Sequence, residues 1–474
     1  MNAWRSMLRH RLTIVNDSNS RGTKKVEIAD KTSRKSPMTA APTTHIRWLL
    51  ILCLFVLSAV AYLDRVNLSI ASAKLTVEFG ISNVRLGFVF SSFLLGYALF
   101  QTPAGWLADR FGPRRVLTAG VLWWGIFSAL TAAISHHISN AVLVLISLRF
   151  LLGAGEAIMY PASNQFVARW IPSYERGMAN GIIFAGVGVG AGVTPPLISF
   201  IMLRYGWRSS FLLSALIGLA AGAVWFLAAR DSPEAHPSVS PAELALIQQG
   251  IPKSAGTKND TLGSSWNAIL SSRNVWILAL AYFCFGYVAW VFFSWFFLYL
   301  AKVRGLDLKS SAFYATLPFL AMAICSPLGG AVSDVLTKRF GSRIGRCSIA
   351  VFGFALTAVF IVFGSGTENT RLASVVLAGG AGSLYLSQSA FWAVSADLGG
   401  RSSGSLSGFM NMANQVGGMI TVSLTPYLAG IFGWKAGFYV AAAMAGLGAA
   451  AWLLVNPNRG LGEMANRHIR PPSP

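Results

Sequence analysis

Twelve apolar stretches, each twenty residues or longer, divide this 474-residue chain, separated by short charged or turn-rich breaks. An α-helix needs ~20 apolar residues to cross a hydrocarbon core ~30 Å thick. Backbone polar groups in that core must be satisfied within the segment or a closed barrel, so long apolar runs read as helices. The runs cover 46–67, 86–108, 116–135, 140–165, 177–203 and 209–229, then 274–300, 311–333, 347–366, 372–395, 404–430 and 434–455. Charged residues make up 12% of the chain, against roughly 25% in a soluble domain. There is too little polar surface for a soluble enzyme or a disordered chain. The four cysteines, Cys53, Cys284, Cys325 and Cys347, lie in or beside apolar runs. They fit packing positions rather than a disulfide scaffold, a zinc site or a redox pair.

The runs fall into two sets of six, 46–230 and 274–456, joined by a polar linker at 231–273. Halves of equal length predict a duplicated six-helix unit with a site between the copies, an architecture typical of transporters. A local echo supports duplication: Gly105-Trp106-Leu107-Ala108-Asp109-Arg110 closes the second run and Gly330-Ala331-Val332-Ser333-Asp334 closes the eighth. Within the linker, Ser240-Pro241-Ala242-Glu243 reads as a helix start, with a serine cap, a first-turn proline and a glutamate able to close a capping box. This predicts a short helix on the membrane surface. Residues 1–45 are basic and rich in serine and threonine, and 457–474 form a polar end. Both are expected to be cytoplasmic tails, the first disordered. No apolar run precedes residue 46, which argues against a signal peptide. Met38 as the true start and an organelle transit peptide remain alternatives.

The net charge of +21 does not point to nucleic acid, because Lys and Arg sit in the short connections. With the N-terminus inside, twenty-seven of them fall on the inner side and nine on the outer. That bias predicts a multi-pass protein of the inner cell membrane with both termini in the cytoplasm. Two arginines are left over, Arg65 and Arg149, both inside runs. Of the acids only Asp64 and Glu156 lie well inside a run. Ionisable groups there are costly and mark function. Asp64 and Arg65, near the far end of the first run, point ~100° apart on a helix and can face different parts of a cavity. Arg149 and Glu156 share a helix face but lie ~10.5 Å apart along the axis, so each needs another partner. A buried guanidinium stays charged and can grip a carboxylate with two parallel bonds. A carboxylate pulled between desolvation and a nearby arginine can load and release protons. The expectation is that Arg65 and Arg149 attract an organic anion while Asp64 and Glu156 carry protons.

The segment Gly105-Trp106-Leu107-Ala108-Asp109-Arg110-Phe111-Gly112-Pro113-Arg114-Arg115 resembles the signature loop between helices 2 and 3 of the major facilitator superfamily. The resemblance implies an all-α membrane protein of twelve helices in two six-helix bundles around a central cavity. It also implies that this loop braces one closed face of the transport cycle. Gly105, Asp109, Arg110, Gly112 and Arg115 would be the gating residues, with Asp109 and Arg115 carrying the bracing. Tyr62-Leu63-Asp64-Arg65-Val66-Asn67, the run Arg149 to Glu156, Tyr160-Pro161, Ser389-Ala390-Phe391-Trp392 and Asn411-Met412-Ala413-Asn414-Gln415 are similar to the anion:cation symporters of that superfamily. These include sugar-acid and phthalate permeases, sialin and vesicular glutamate transporters. By that resemblance Arg65 holds the substrate carboxylate and Asp64 and Glu156 titrate, with Arg149 tuning Glu156. Tyr62, Tyr97, Ser389, Trp392, Asn411 and Asn414 would line the cavity. The implied activity is proton-coupled import of a sugar acid by alternating access.

Two departures favour an aromatic carboxylate as the alternative substrate. Val187 stands where some sugar-acid members have a polar residue. The seventh run is unusually aromatic, and its Tyr287 and Trp290 could floor the cavity. A drug exporter of the same fold fits less well, because the fifth run ends Thr194-Pro195-Pro196 and the cavity would hold arginines. No nucleophile elbow, Walker sequence or histidine cluster supports an enzyme or an ATP-driven pump. A transporter-like sensor would need a signalling domain, and a uniporter or exchanger stays open. No cofactor or metal is expected. The expected partners are the anion, protons and lipid, with a monomer as the default.

Overall fold

A computed structural model of the chain describes residues 43–81, 83–135, 140–251, 262–458 and 461. The expected tail 1–45 lies outside the described residues except for 43–45, as do residues 252–261 of the linker and most of the C-terminal tail. The membrane helices are α1 (Ile46–Glu78), α2 (Asn83–Phe111), α3 (Pro113–Ala132), α4 (Ala141–Glu156 resuming as Met159–Trp170), α5 (Arg176–Tyr205) and α6 (Trp207–Ala228). The second half supplies α7 (Arg273–Ser294), α8 (Leu308–Phe340), α9 (Ser342–Gly366), α10 (Thr370–Leu386 resuming as Gln388–Gly399), α11 (Ser403–Phe432) and α12 (Trp434–Leu454). α10 and α11 are separated only by the turn Gly400–Ser402, so by length and hydropathy they form one continuous segment, Thr370–Phe432.

Four tight corners reveal the repeat. Gly112 between α2 and α3 has φ +89°, Gly206 between α5 and α6 +82°, Gly341 between α8 and α9 +84° and Gly433 between α11 and α12 +80°. A side chain is strained at such angles, and glycine is not. The same one-residue corner therefore recurs in each of four three-helix units. This is the nested repeat expected of a transporter built from two duplicated halves.

α1 runs eleven residues past the expected end at 67. The extension is held by Leu68, Ala71 and Leu75, which pack in a second apolar cluster with Ile81, Val89, Trp207 and Phe211. Glu78 closes it, bound by Trp207 Nε1 at 2.6 Å and Arg208 Nη2 at 2.6 Å. Asp64 and Arg65 therefore sit near the middle of a 33-residue helix rather than near its end. The linker helix spans Pro241–Gly250, and Ser240 Oγ caps it by accepting from the Glu243 amide at 3.2 Å. Glu243 does not turn back to close a box. Its carboxylate reaches the start of α1 instead, accepting from Thr44 Oγ1 at 2.6 Å, the Ile46 amide at 3.2 Å and Arg47 Nη1 at 3.0 Å.

Candidate functional site: a charged, aromatic cavity between the two halves

α4 breaks directly after Glu156. Pro161 has no N–H to return to the carbonyl one turn back, so the ladder is weakest at that turn. α10, its counterpart, breaks at Ser387. Glycines bring α4 close to its neighbours: a Cβ on Gly153 would strike the Phe93 carbonyl of α2, and one on Gly155 would strike the Trp123 ring of α3. The α4 charges are thereby held close against α2 and α3.

Arg65 Nε donates to Glu156 Oε1 at 2.7 Å. The guanidinium is also caged by rings, 4.3 Å from the Tyr97 centroid, 4.7 Å from Tyr62 and 5.3 Å from Phe93. Arginine suits such a place because its planar, weakly hydrated cation stacks on ring faces. Each partner keeps an unused buried atom, Arg65 Nη2 and Glu156 Oε2, with no hydrogen bond among the described residues. Asp64 points elsewhere, as the helical offset predicts. Its Oδ1 accepts from Ser128 Oγ of α3 at 3.1 Å while Oδ2 has no hydrogen bond among the described residues, and the residue is 2% exposed. That burial places Asp64 inside the bundle. Arg149 lies over the Phe93 ring at 4.9 Å, and its Nε and Nη1 are likewise unpartnered.

Arg65 opens onto a narrow central space between the halves. Tyr62, Tyr97, Asn411 and Asn414 are on its wall. Nine of its sixteen lining residues are aromatic, and the rest include Val187 and the amides Gln388 and Gln415. Ser389 and Trp392, expected on the wall, lie behind it, each at most 1% exposed. Trp392 acts through a neighbour: its Nε1 donates to Tyr282 Oη at 2.8 Å, beside Gln388 Nε2 at 2.9 Å, and so aims that tyrosine at the cavity. Of the two α7 aromatics singled out, Trp290 lines the space and Tyr287 does not. Sequence reasoning missed Tyr282, Tyr385, Gln388 and Gln415. Two carried a local signal: Gln415 stands inside a recognised motif and Gln388 one residue before another.

Below the cavity the two halves lock together at two matching crossings. At the first, the Asp109 carboxylate of α2 caps the N-terminus of α11, accepting from the Gly404 amide at 2.9 Å, the Ser405 amide at 2.7 Å and Ser405 Oγ at 2.6 Å. At the second, Asp334 of α8 caps α5, accepting from the Gly177 amide at 3.0 Å and the Met178 amide at 2.6 Å. Anions belong at helix N-termini, where free N–H groups and the macrodipole converge. Gly105 lies backbone-to-backbone with Gly404, and Gly330 with Gly177. The other residues of the signature loop have different places. Arg110 stacks on Trp106 and Phe111, and Arg115 is exposed, away from the bracing. The Arg114 backbone amide donates to Asp231 Oδ1 at 2.9 Å beside Gly112.

Twelve helices in duplicated halves around a charged central cavity define a secondary transporter. The sequence model of the Major Facilitator Superfamily matches residues 54–422, with a second match over 316–465, and the chain belongs to that superfamily. It is a transporter and not an enzyme. A probable sulfoacetate transporter of Cupriavidus necator is 33% identical over 400 residues, covering 84% of this chain and 91% of the relative. A probable galactarate/D-glucarate transporter of Bacillus subtilis is 30% identical over 402 residues, covering 82% and 86%. These relatives accord with the resemblance to the anion:cation symporters. Among solved structures, a proton:xylose symporter shares the fold with a TM-score of 0.71 at 15% identity, over 89% of this chain and 99% of that one.

Proposed function

We propose that the protein imports a small organic anion together with protons, by alternating access across the inner cell membrane, with both termini in the cytoplasm. The observation that carries this reading is the Arg65–Glu156 pair at the cavity wall, each partner with one edge unused. A proton arriving at Glu156 neutralises it and frees Arg65 for the carboxylate or sulfonate of a substrate. Loss of that proton on the other side returns Glu156 to Arg65 and expels the anion. Coupling follows because the guanidinium has one strong partner at a time. Asp64, held by Ser128 away from the cavity, is the second proton site, and Arg149 supplies positive potential beside both acids.

For the body of the substrate, the amides of Gln388, Asn411, Asn414 and Gln415 offer hydrogen bonds to a polyol. This supports a sugar acid, as do the names of the galactarate/D-glucarate relatives. The nine aromatic rings and Val187 favour a second reading, a compact or aromatic carboxylate with fewer hydroxyls. Uptake into proteoliposomes under an imposed proton gradient tests both, with galactarate, galactonate, sulfoacetate, phthalate and 4-hydroxyphenylacetate as probes and Arg65→Ala as control. Uptake that collapses with a protonophore supports symport, and the accepted probes decide between the two bodies. If the folded protein takes up none of them, the anion reading is lost.

A further inference from the structure

The cavity and the cytoplasmic lock are joined by one hydrogen bond that the transport reading above leaves unused. Gln101 on α2 is fully buried and is absent from the cavity wall. Its Oε1 accepts from Asn411 Nδ2 of α11 at 3.0 Å. Asn411 is itself on the wall, and its Oδ1 accepts from Asn414 Nδ2, also on the wall, at 3.2 Å. On α2, Tyr97 lies one turn from Gln101 and stacks on Arg65 at 4.3 Å. Asp109 lies two turns the other way, about 12 Å along the axis. On α11, Asn411 is about two turns from Gly404 and Ser405, the residues that Asp109 holds. The same two helices therefore carry the anion site, the lock and a buried amide bridge between them.

The twin crossing shows that this bridge is not a demand of the fold. Aligning Asp334 with Asp109, and Gly177 with Gly404, puts Gly330 at Gly105 and Gly181 at Gly408. Gly408 packs against the Gln101 carbonyl, and Gly181 against the Ser326 carbonyl and Pro327. The position equivalent to Gln101 is then Ser326, and that equivalent to Asn411 is Phe184. Ser326 Oγ has no hydrogen bond among the described residues, and Phe184 has no polar group to offer one. Two crossings of matching register are thus both closed by a carboxylate cap and a glycine contact, and only one adds a buried amide pair. A buried amide pair across helices must be kept satisfied or paid for. Its presence beside the cavity, on one side of the repeat only, needs a local reason.

We infer that Gln101 is a positioning residue that reports cavity occupancy to the cytoplasmic lock. With the cavity empty, the Asn411 amide donates to Gln101 and holds α11 against α2. An anion that recruits the Asn411 and Asn414 amides for its own oxygens weakens that bridge and leaves the crossing to the Asp109 cap and the glycine contacts. The inference rests on the proposal that the anion binds at Arg65. Its test separates the two.

The test measures uptake of radiolabelled galactarate and sulfoacetate by proteoliposomes of the wild type, Gln101→Met and Gln101→Glu. Methionine keeps the length and volume but offers no strong acceptor, and glutamate keeps an acceptor oxygen. The expected result is a maximal rate about tenfold lower in Gln101→Met with KM changed less than about twofold, and substantial recovery in Gln101→Glu. Gln101→Leu repeats the test should the methionine variant not fold. Spin labels at exposed Arg115 and Arg343, on the cytoplasmic ends of α3 and α9, read the lock without transport. In Gln101→Met the distance distribution should shift toward separated ends even without anion. Wild-type rates in the methionine and leucine variants would show that Gln101 only fills space, and would overturn the inference. So would a rise in KM at unchanged maximal rate, or equal losses in the methionine and glutamate variants. Absence of uptake of either probe by the wild type would overturn the anion reading, and this inference with it.

Discussion

Arg65 is held by geometry that a point charge could not reproduce. Its guanidinium bonds Glu156 through Nε and lies against the rings of Tyr62 and Tyr97. Lysine has neither the planar face nor the fork. Arg65→Lys should therefore raise the KM for the transported anion by at least about tenfold, a loss of about 1.4 kcal/mol or more, in an uptake titration. Asp64 belongs to the proton side of the cycle. Asp64→Asn should abolish accumulation driven by a proton gradient yet spare counterflow, in which anion exchanges for anion without net proton movement. Accumulation that survives in this variant would remove Asp64 from coupling. At this scale the sequence told most: counting charges against apolar runs isolated Asp64, Arg65, Arg149 and Glu156 before any coordinates. Partner choice was not legible, because Glu156 and Arg65 meet across 91 residues of chain.

Helix ends carry the second level of organisation. Four helices, α1, α3, α5 and α11, have their N-terminal amides bound by a carboxylate from elsewhere in the chain. These are Glu243, Asp231, Asp334 and Asp109 respectively. Two of the caps join the halves. The other two fasten the linker to the N-terminal half, where Arg47 also bridges Glu243 and Glu175 at 3.0 and 3.2 Å. Breaking a buried ion pair by removing one partner costs about 3–5 kcal/mol. Glu243→Ala should therefore lower the melting temperature of the purified protein measurably, with a smaller change in KM because the site is far from the cavity. An unchanged melting temperature would mean the linker clasp contributes nothing. The serine cap at Ser240 was legible from its motif. The destination of Glu243 was not, since a glutamate at that position reads as a local box until the start of α1 is placed beside it.

The molecule closes on the side of its linker through two equivalent crossings, α2 with α11 and α5 with α8. Each is a backbone-to-backbone glycine contact topped by a carboxylate cap. Small residues let membrane helices approach this closely. A methyl group at Gly404 would strike Asp109 and the Gly105 carbonyl, and one at Gly177 would strike Arg346, Asp334 and the Gly330 carbonyl. Gly404→Ala and Gly177→Ala, though far apart in the chain, should therefore share one phenotype. Transport should fall sharply, and labels on the N-terminal ends of α3 and α9 should move apart. If only one of the two variants opens the ends, the crossings are not equivalent in the cycle.

The sequence by itself determined the membrane class, the twelve helices, the duplication and the four charges placed within the spans. Each follows from local physics: apolar length against bilayer thickness, and the cost of an ion in hydrocarbon. Helix bounds were less secure, as α1 shows, because its last turns are held by contacts from α2 and α6 rather than by their own hydropathy. The tertiary structure alone decided which residues face the cavity. It moved Trp392 and Ser389 behind the wall, brought Tyr282 and Gln388 onto it, and gave the bracing to Asp109 without Arg115. The reason is rotational. On a helix buried on every side, hydrophobic periodicity no longer says which face meets which neighbour, and that is settled only when twelve helices pack at once.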